Sequence, residues 1–219
     1  MYRYHDFVRS EISQLLPRTA SRILDVGCGI GATAKWLKAR YPESWTIGFE
    51  GNSSLLPILS GNVDEPHIVD LNGPLPDVGA VDLVLLLDVL EHLIEPKMVL
   101  ERIVSAMGAG ATAIISVPNI AHLSVSIPLL VWGRFDYRDA GILDRTHLRF
   151  FNITSALDLA SSSGLEVTKG LLSGFGGPRT QFINRLTLGM VRNRLAKQFI
   201  LSARLHSASK ITAIDWQII

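Results

Sequence analysis

The apolar positions of this chain change period along its length, and each change marks an element. Ser21-Arg-Ile-Leu-Asp-Val26 is a short β-rich run that ends in glycines. Gly31 to Tyr41 has helical spacing and is stopped by Pro42. Trp45-Thr-Ile-Gly-Phe-Glu50 predicts a second strand, Asn52 caps a short helix behind it, and His67-Ile-Val-Asp70 predicts a brief third strand. Val81 to Leu87 is continuously apolar but for Asp82, the pattern of a strand buried on both faces of a parallel sheet. Glu95 to Met107 is amphipathic, with Pro96 in its first turn and Gly108 and Gly110 past its end. Ala111 to Val117 predicts a fifth strand, closed by Pro118-Asn119. Strands alternating with helices predict right-handed βαβ units and a largely parallel sheet covered on both sides.

The two ends are less regular. Phe7, Val8, Ile12, Leu15 and Leu16 are spaced as in a leading helix within residues 1–20. Residues 120–150 are irregular, aromatic and charged, and read as an inserted lid or substrate region. Thr154 to Ser163 resumes as a helix capped by Asn152 or Thr154, and Leu165 to Leu172 is a strand. Gly174 to Pro178 is a loop. Phe182, Leu186, Met190, Val191, Leu195 and Phe199 recur at helical spacing, so residues 181–205 are expected to form one helix. Ile211 to Ile219 alternates like a last strand. With no repeat and no boundary signal, residues 1–219 are expected to form one domain.

Composition narrows the class. The chain has 219 residues, 47% hydrophobic, with 21 Lys+Arg against 20 Asp+Glu and a net charge of +1, so no nucleic-acid partner is expected. Cys28 alone excludes a disulfide framework and suits a reducing compartment. The first residues have no apolar signal core, and no run reaches the roughly 20 apolar residues that span a bilayer, so a soluble cytoplasmic protein is expected. Between Thr168 and Ala213 stand eight Lys or Arg and no carboxylate. A basic amphipathic helix there either lies on an anionic membrane surface or packs on its own domain or a partner subunit, which leaves an oligomer open.

The most informative segment is Ile23-Leu-Asp25-Val-Gly27-Cys28-Gly29-Ile-Gly31, in which a strand feeds a glycine-rich turn and then a helix. Such a turn either merely links strand to helix or lets a ligand approach the main chain at the carboxyl edge of the sheet, where open α/β sheets bind ligands. The third glycine comes one residue earlier than in a dinucleotide fingerprint, and Asp25 would repel a pyrophosphate but welcome a cation. Glu50, ending the second strand with Gly51 behind it, is placed to accept the two hydroxyls of a ribose. The ligand inferred is a positively charged adenosine-like molecule such as S-adenosylmethionine. Asp70, followed by Leu71, either contacts the adenine amino group or forms a turn. Asp88, with Val89, follows the fourth strand beside the methionine end of that ligand. Glu91 and His92 either start a helix or, for His92, reach cofactor or substrate.

Leu24-Asp-Val-Gly-Cys-Gly-Ile-Gly31, Gly48-Phe-Glu50, Leu87-Asp-Val-Leu-Glu-His92 and Ser116-Val-Pro-Asn119, in this order and at these spacings, resemble the class I S-adenosylmethionine-dependent methyltransferases. The resemblance spans Ile23 to Val117. It implies an α/β Rossmann-like fold with a seven-stranded, mostly parallel sheet, helices on both faces and an antiparallel last strand. It also implies that Gly27 and Gly29 line the cofactor, that Glu50 binds its ribose and that Asp70 lies near its adenine, with S-adenosylhomocysteine as product; the whole cofactor site is expected at Asp25, Gly27, Cys28, Gly29, Glu50, Gly51, Asp70, Leu71, Asp88, Val89 and His92. Pro118-Asn119-x-x-His122, Gly133-Arg-Phe-x-Tyr137 and Gly141-Ile-Leu-Asp-Arg-Thr-His147-Leu-Arg-Phe-Phe151 are similar to a small bacterial subgroup associated with polysaccharide or O-antigen assembly, and more loosely to a relative linked with methionine biosynthesis.

Methyl transfer is an in-line displacement with a neutral thioether leaving, so the protein must align the reactants and take a proton from a hydroxyl acceptor. A sugar or related small metabolite, free or within a glycan, is the expected acceptor. His147 is the expected base, with Asp144 setting its tautomer. His122 follows, and Asp144 itself is a third candidate. Asp88, His92, Asp144 and His147 are ligand-type residues, but their spacing matches no metal motif and no metal is assigned. Trp132, Arg134, Phe135, Tyr137, Arg138, Arg145 and Arg149 either recognise a sugar and its phosphate or uronate, or form an aromatic mini-core with solvated charges. A cofactor-binding partner without catalysis and a nicotinamide-dependent oxidoreductase are the alternatives.

Overall fold

The computed structural model describes residues 7–175, 177–206 and 213–219. Eight strands join in one sheet: β1 Arg22–Val26, β2 Trp45–Glu50, β3 Glu65–Ile68, β4 Val81–Leu87, β5 Met107–Pro118, β6 Leu165–Ser173, β7 Gln198–Leu205 and β8 Asp215–Ile218. Their spatial order is β3-β2-β1-β4-β5-β7-β6-β8. The helices are α1 Ala32–Lys38, α2 Leu56–Leu59, α3 Pro96–Ser105, α4 Leu123–Trp132, α5 Ile153–Ser162, α6 Pro178–Leu186 and α7 Arg192–Leu195.

The sheet is buried on both faces, and the period-2 alternation of its strands divides the core. Leu24, Val26, Val84, Leu86, Ala113, Ile115 and Val117 face one cluster, which α3 and α5 cover through Val99, Leu100, Ile103, Ala156 and Ala160. Ile23, Leu83, Leu85, Ile114 and Ile200 face the other, with Leu37 and Tyr41 from α1 and its exit and Ile12, Leu15 and Leu16 from the N-terminal segment. Asn152 caps α5, accepting the Ser155 backbone N–H at 3.0 Å in a reciprocal capping box.

Two expectations need correction. Residues 181–205 do not form one helix: α6 and α7 are short, and Gln198–Leu205 is a strand inside the sheet, antiparallel to both β5 and β6. Phe199 happens to continue the helical stripe of the preceding residues. The run Phe199-Ile-Leu-Ser-Ala is buried on both faces, however, and such a run carries no alternation to betray a strand. Among the described residues the sheet therefore has eight strands rather than seven. Its antiparallel member is the seventh, whereas the last, β8, runs parallel to β6 at the edge.

Smaller differences follow the same logic. The leading segment contains a 3-10 turn at Ser10–Gln14, and residues 1–6 of the expected helix lie outside the described residues, as do residues 211 and 212 of the expected last strand. β3 ends two residues earlier than its apolar run suggested. The region expected to be irregular contains α4, a helix with only Val125 buried that ends at Gly133.

Candidate functional site

The carboxyl ends of β1, β2 and β4 lie side by side, and the loop after β1 sets the geometry. Gly27 and Cys28 both donate their backbone N–H to the Phe49 carbonyl, at 2.7 and 3.0 Å, which swings the chain across the end of β2. Gly27 has φ +68°, and a Cβ on it would lie 2.6 Å from Cγ2 of Val89, so a side chain fits neither the backbone nor the space. The Gly29 N–H donates to Glu50 at 2.8 Å, and the other Glu50 oxygen accepts the Asn52 N–H at 2.8 Å. Glu50 is thereby fixed against the loop, while each carboxylate oxygen keeps a second lone pair for a ligand. Cys28 packs against Ala34, Leu59 and Val63, and burial raises its thiol pKa, which removes it as a nucleophile.

Asp25 is the anomaly of this loop. It is 3% exposed, and its Oδ2 has no hydrogen-bond partner. Desolvation, then the neighbouring Glu50 charge, pushes its carboxyl up to about 7. Asp25, Gly27, Cys28, Gly29 and Asp88 line one cavity of about 610 Å³, together with Phe7, Arg9 and Gln198. Asp88 closes it from β4 with φ +59°, a conformation that asparagine and aspartate tolerate better than most residues. Its carboxylate accepts from Arg9, from Gln198 and, at 2.9 Å, from the Ser116 hydroxyl.

A second cavity, of about 330 Å³, shares Asp88 and Gln198 with the first. Its wall includes Glu91, Ser124, Arg138, Leu143, His147 and Lys197. His147 is 7% exposed, and its Nδ1 lies 3.1 Å from the Ile142 carbonyl. A carbonyl only accepts, so Nδ1 carries the hydrogen and Nε2 the lone pair. The expected role of Asp144 in setting this tautomer is not seen: its carboxylate accepts from the Thr146 N–H and hydroxyl, at 2.8 and 2.7 Å. Burial works against that carboxylate, but the Thr146 bonds hold Asp144 below the usual range. Desolvation, partly offset by the Ile142 bond and helped by the neighbouring His92, lowers the His147 pKa and so favours its neutral form. His122 caps α4, accepting the Ser124 N–H at 3.1 Å.

Other expected residues stand apart from both cavity walls. Asp70 is exposed and forms a local turn, accepting the Asn72 N–H at 2.9 Å. Leu71 packs on the larger core cluster. Val89 lies under Gly27, and the Nδ1 of His92 sits 3.2 Å from the Thr146 carbonyl. Phe135 packs edge-on against Tyr137 and Phe150, with centroids 5.5 and 5.6 Å apart, as an aromatic mini-core. Arg134 and Arg145 pair with Asp136 and Asp139 at the surface.

No local pattern marks Arg9, Ser116 or Gln198 as part of the site, and Glu91 reads in sequence as a helix starter. Gln198 opens the strand whose spacing imitates a helix. Arg9 meets Asp88 across 79 residues and left no local signal. Glu91 did leave one, since it directly precedes His92 at the end of the best-defined motif after a strand.

The comparisons bear on this geometry. A family model described as a methyltransferase domain matches residues 2–169. No curated protein matches the chain. Among solved structures, an S-adenosylmethionine-dependent methyltransferase from Mesorhizobium loti superposes with a TM-score of 0.61 at 17% identity, over 89% of this chain and 95% of that one. The N-methyltransferase NodS from Bradyrhizobium japonicum, solved with S-adenosylhomocysteine, gives 0.60 at 12%, over 91% and 87%. An O-methyltransferase from a Brevibacillus brevis polyketide synthase, solved with the same molecule, gives 0.55 at 12%, over 85% and 67%. At these identities the structures establish a shared fold.

Proposed function

The chain belongs to the methyltransferase-domain family, and from that premise we propose that it transfers a methyl group from S-adenosylmethionine to a hydroxyl oxygen of a sugar or related small metabolite, free or within a glycan. The observation that carries the reading is the meeting of two cavities at Asp88 and Gln198. In-line displacement needs donor and acceptor on opposite sides of one carbon, and two adjoining cavities with a common wall meet that need.

The residues of the larger cavity fit the donor. Glu50 is not on that wall but is tied to its loop through the Gly29 N–H, and its free lone pairs suit a ribose diol. The unpartnered Oδ2 of Asp25 suits the α-ammonium, and Arg9 on the same wall, paired with Glu11 and Asp88, would reach the methionine carboxylate only by exchanging one of those partners. Gly27 and Gly29 admit the ligand to the main chain, whereas Gly51, Asp70, Leu71, Val89 and His92, expected at the donor, line neither cavity. A pyrophosphate would meet the acidic wall at Asp25, which disfavours a nicotinamide dinucleotide. The bound donor supplies an activated methyl: the acceptor oxygen forms the new C–O bond as the C–S bond breaks, and the electron pair stays on sulfur as the acceptor proton leaves.

The smaller cavity handles the acceptor. Among the expected bases, His147 presents a neutral Nε2 there, whereas Asp144 is held by Thr146 and His122 by its helix cap. Arg138 and Lys197 on the same wall suit an anionic acceptor such as a phosphorylated or uronate sugar. The basic amphipathic surface shrinks to residues 178–194, where Phe182, Leu186, Leu188 and Met190 are exposed among Arg185, Arg192 and Arg194. Contact with an anionic membrane through that surface would suit a lipid-linked acceptor. Among the described residues no helix is long and apolar enough to cross a membrane.

The test incubates the chain with methyl-labelled donor and a panel of nucleotide sugars, lipid-linked glycans and small phenols, with anionic vesicles in parallel. Label on a sugar oxygen supports the reading. Label only on nitrogen or carbon overturns the oxygen assignment, and binding of donor without turnover of any acceptor favours a non-catalytic partner.

A further inference from the structure

Glu91, His92 and His147 form a cluster whose full arrangement the reading above does not use. One ligand-capable atom from each lies within 4.8 Å of the other two. Glu91 is 1% exposed, and neither of its carboxylate oxygens has a hydrogen-bond partner. Burying a carboxylate without partners is costly, so this group is aimed at something that completes it. It lines the smaller cavity beside His147.

The two imidazoles are prepared in the same way. His147 directs its Nδ1 hydrogen to the Ile142 carbonyl at 3.1 Å, and His92 directs its own to the Thr146 carbonyl at 3.2 Å. Thr146 Oγ1 also lies 3.2 Å from His92 Nδ1, and its hydroxyl donates onward to Asp144 at 2.7 Å. Each ring is left with an Nε2 lone pair, and the rings stand edge to face with centroids 4.8 Å apart. A backbone carbonyl holding the far nitrogen of a ring is the support that metal-binding histidines characteristically have.

We propose that Glu91, His92 and His147 bind a divalent metal ion through one carboxylate and two Nε2 atoms, with further coordination positions facing the smaller cavity. Two imidazoles and a carboxylate select a first-row transition ion such as Zn²⁺ or Co²⁺ over Mg²⁺ or Ca²⁺, which prefer all-oxygen sets. The binding site stands on its own geometry. Its use rests on the methyltransferase reading: the ion would supply Lewis acidity to an acceptor hydroxyl, and His147 would act as its ligand instead of as a free base.

The experiment strips the untagged chain with a chelator and titrates it with Co²⁺, followed by visible absorption, and with Zn²⁺, followed by calorimetry. The expected result is one ion per chain at micromolar Kd or tighter, with Zn²⁺ displacing Co²⁺. Glu91→Gln and His92→Ala should each weaken binding by about 100-fold or more, beyond the roughly 10–100-fold that losing a partner behind a ligand costs. Absence of saturable binding below millimolar, or binding unchanged in Glu91→Gln, His92→Ala and His147→Ala alike, overturns the site. A parallel titration with S-adenosylhomocysteine separates the two claims. Nucleoside binding without Co²⁺ binding removes the metal and leaves the donor reading, and Co²⁺ binding without nucleoside binding does the reverse.

Discussion

The two cavities that meet at Asp88 and Gln198 are built by different means. The larger one is made at strand ends whose register is set by the sheet: Asp25 stands opposite Gly48 on β2 and Leu85 on β4, and main-chain bonds to Phe49 fix the loop. The smaller one depends on residues 119–148, ordered by local turns, by α4 with one buried residue, by exposed ion pairs worth about 0–1 kcal/mol each and by a few anchors such as Asn119, which donates to the Asn193 and Ala196 carbonyls at 2.7 Å. A cavity inherited from the sheet couples ligand binding to folding. A cavity shaped by a connection can change its specificity at little cost in stability. The division of labour proposed above predicts how substitutions on the two sides should differ.

The largest effect is expected on the connection side. His147→Ala, which removes either the free base or a ligand of the proposed ion, should lower turnover of a true acceptor by about 10²–10⁴-fold, the range for removing acid–base assistance, while S-adenosylhomocysteine affinity changes little by calorimetry. An equal loss of nucleoside affinity would erase the distinction between the two cavities. On the sheet side, Glu50→Ala should weaken nucleoside binding by about 10²-fold, as expected for losing charge-assisted bonds of roughly 1.5–3 kcal/mol each. Gly27→Ala should weaken it less, by about tenfold, and should also lower the melting temperature, because a left-handed backbone costs an L-residue about 1–2 kcal/mol. Adding Val89→Ala to Gly27→Ala should restore part of the loss by removing the 2.6 Å clash, but not the part due to φ.

The same contrast explains what could be read in advance. The strand at Val81–Leu87 and the turn at Gly27–Gly29 were legible because each is written in adjacent residues, as a run of buried side chains or a backbone that only glycine allows. Glu50 was legible because a parallel sheet brings the strand ends together. The Arg9–Asp88 pair joins residues far apart in sequence, and no local pattern encodes it. Gln198–Leu205 was misread because two-sided burial erases the period that distinguishes strand from helix. The group that holds the His147 ring differs from expectation for a related reason: sequence shows the carboxylate of Asp144 but not the carbonyl of Ile142, since backbone groups are present at every position. Glu91 sat in plain view, but only burial reveals that its carboxylate has no partner.

The smallest expected effect sharpens the sheet side further, through the proton on Asp25. Its carboxyl titrates at about 7 in the fold, because burial and then Glu50 disfavour the charge, against about 3.9 in an unfolded chain. Between these values the native protein holds a proton that the unfolded chain has released. Stability of the unliganded protein should therefore fall as pH rises from about 4 to about 7, by at most about 1.4 kcal/mol per unit from this group. The histidines lowered by burial, His122 and His147, oppose this trend below about pH 6.5 because they gain their proton on unfolding. The informative measurement is therefore the difference between the chain and Asp25→Asn, followed by denaturant unfolding at each pH. A ligand ammonium beside Asp25 favours the ionised form, so nucleoside binding should expel the proton. Affinity for S-adenosylhomocysteine should then drop by up to about tenfold per unit as pH falls below about 7, and Asp25→Asn should flatten that slope. If the slope survives the substitution, the ammonium lies elsewhere, and the unpartnered oxygen of Asp25 is a cost of burial that the ligand does not relieve.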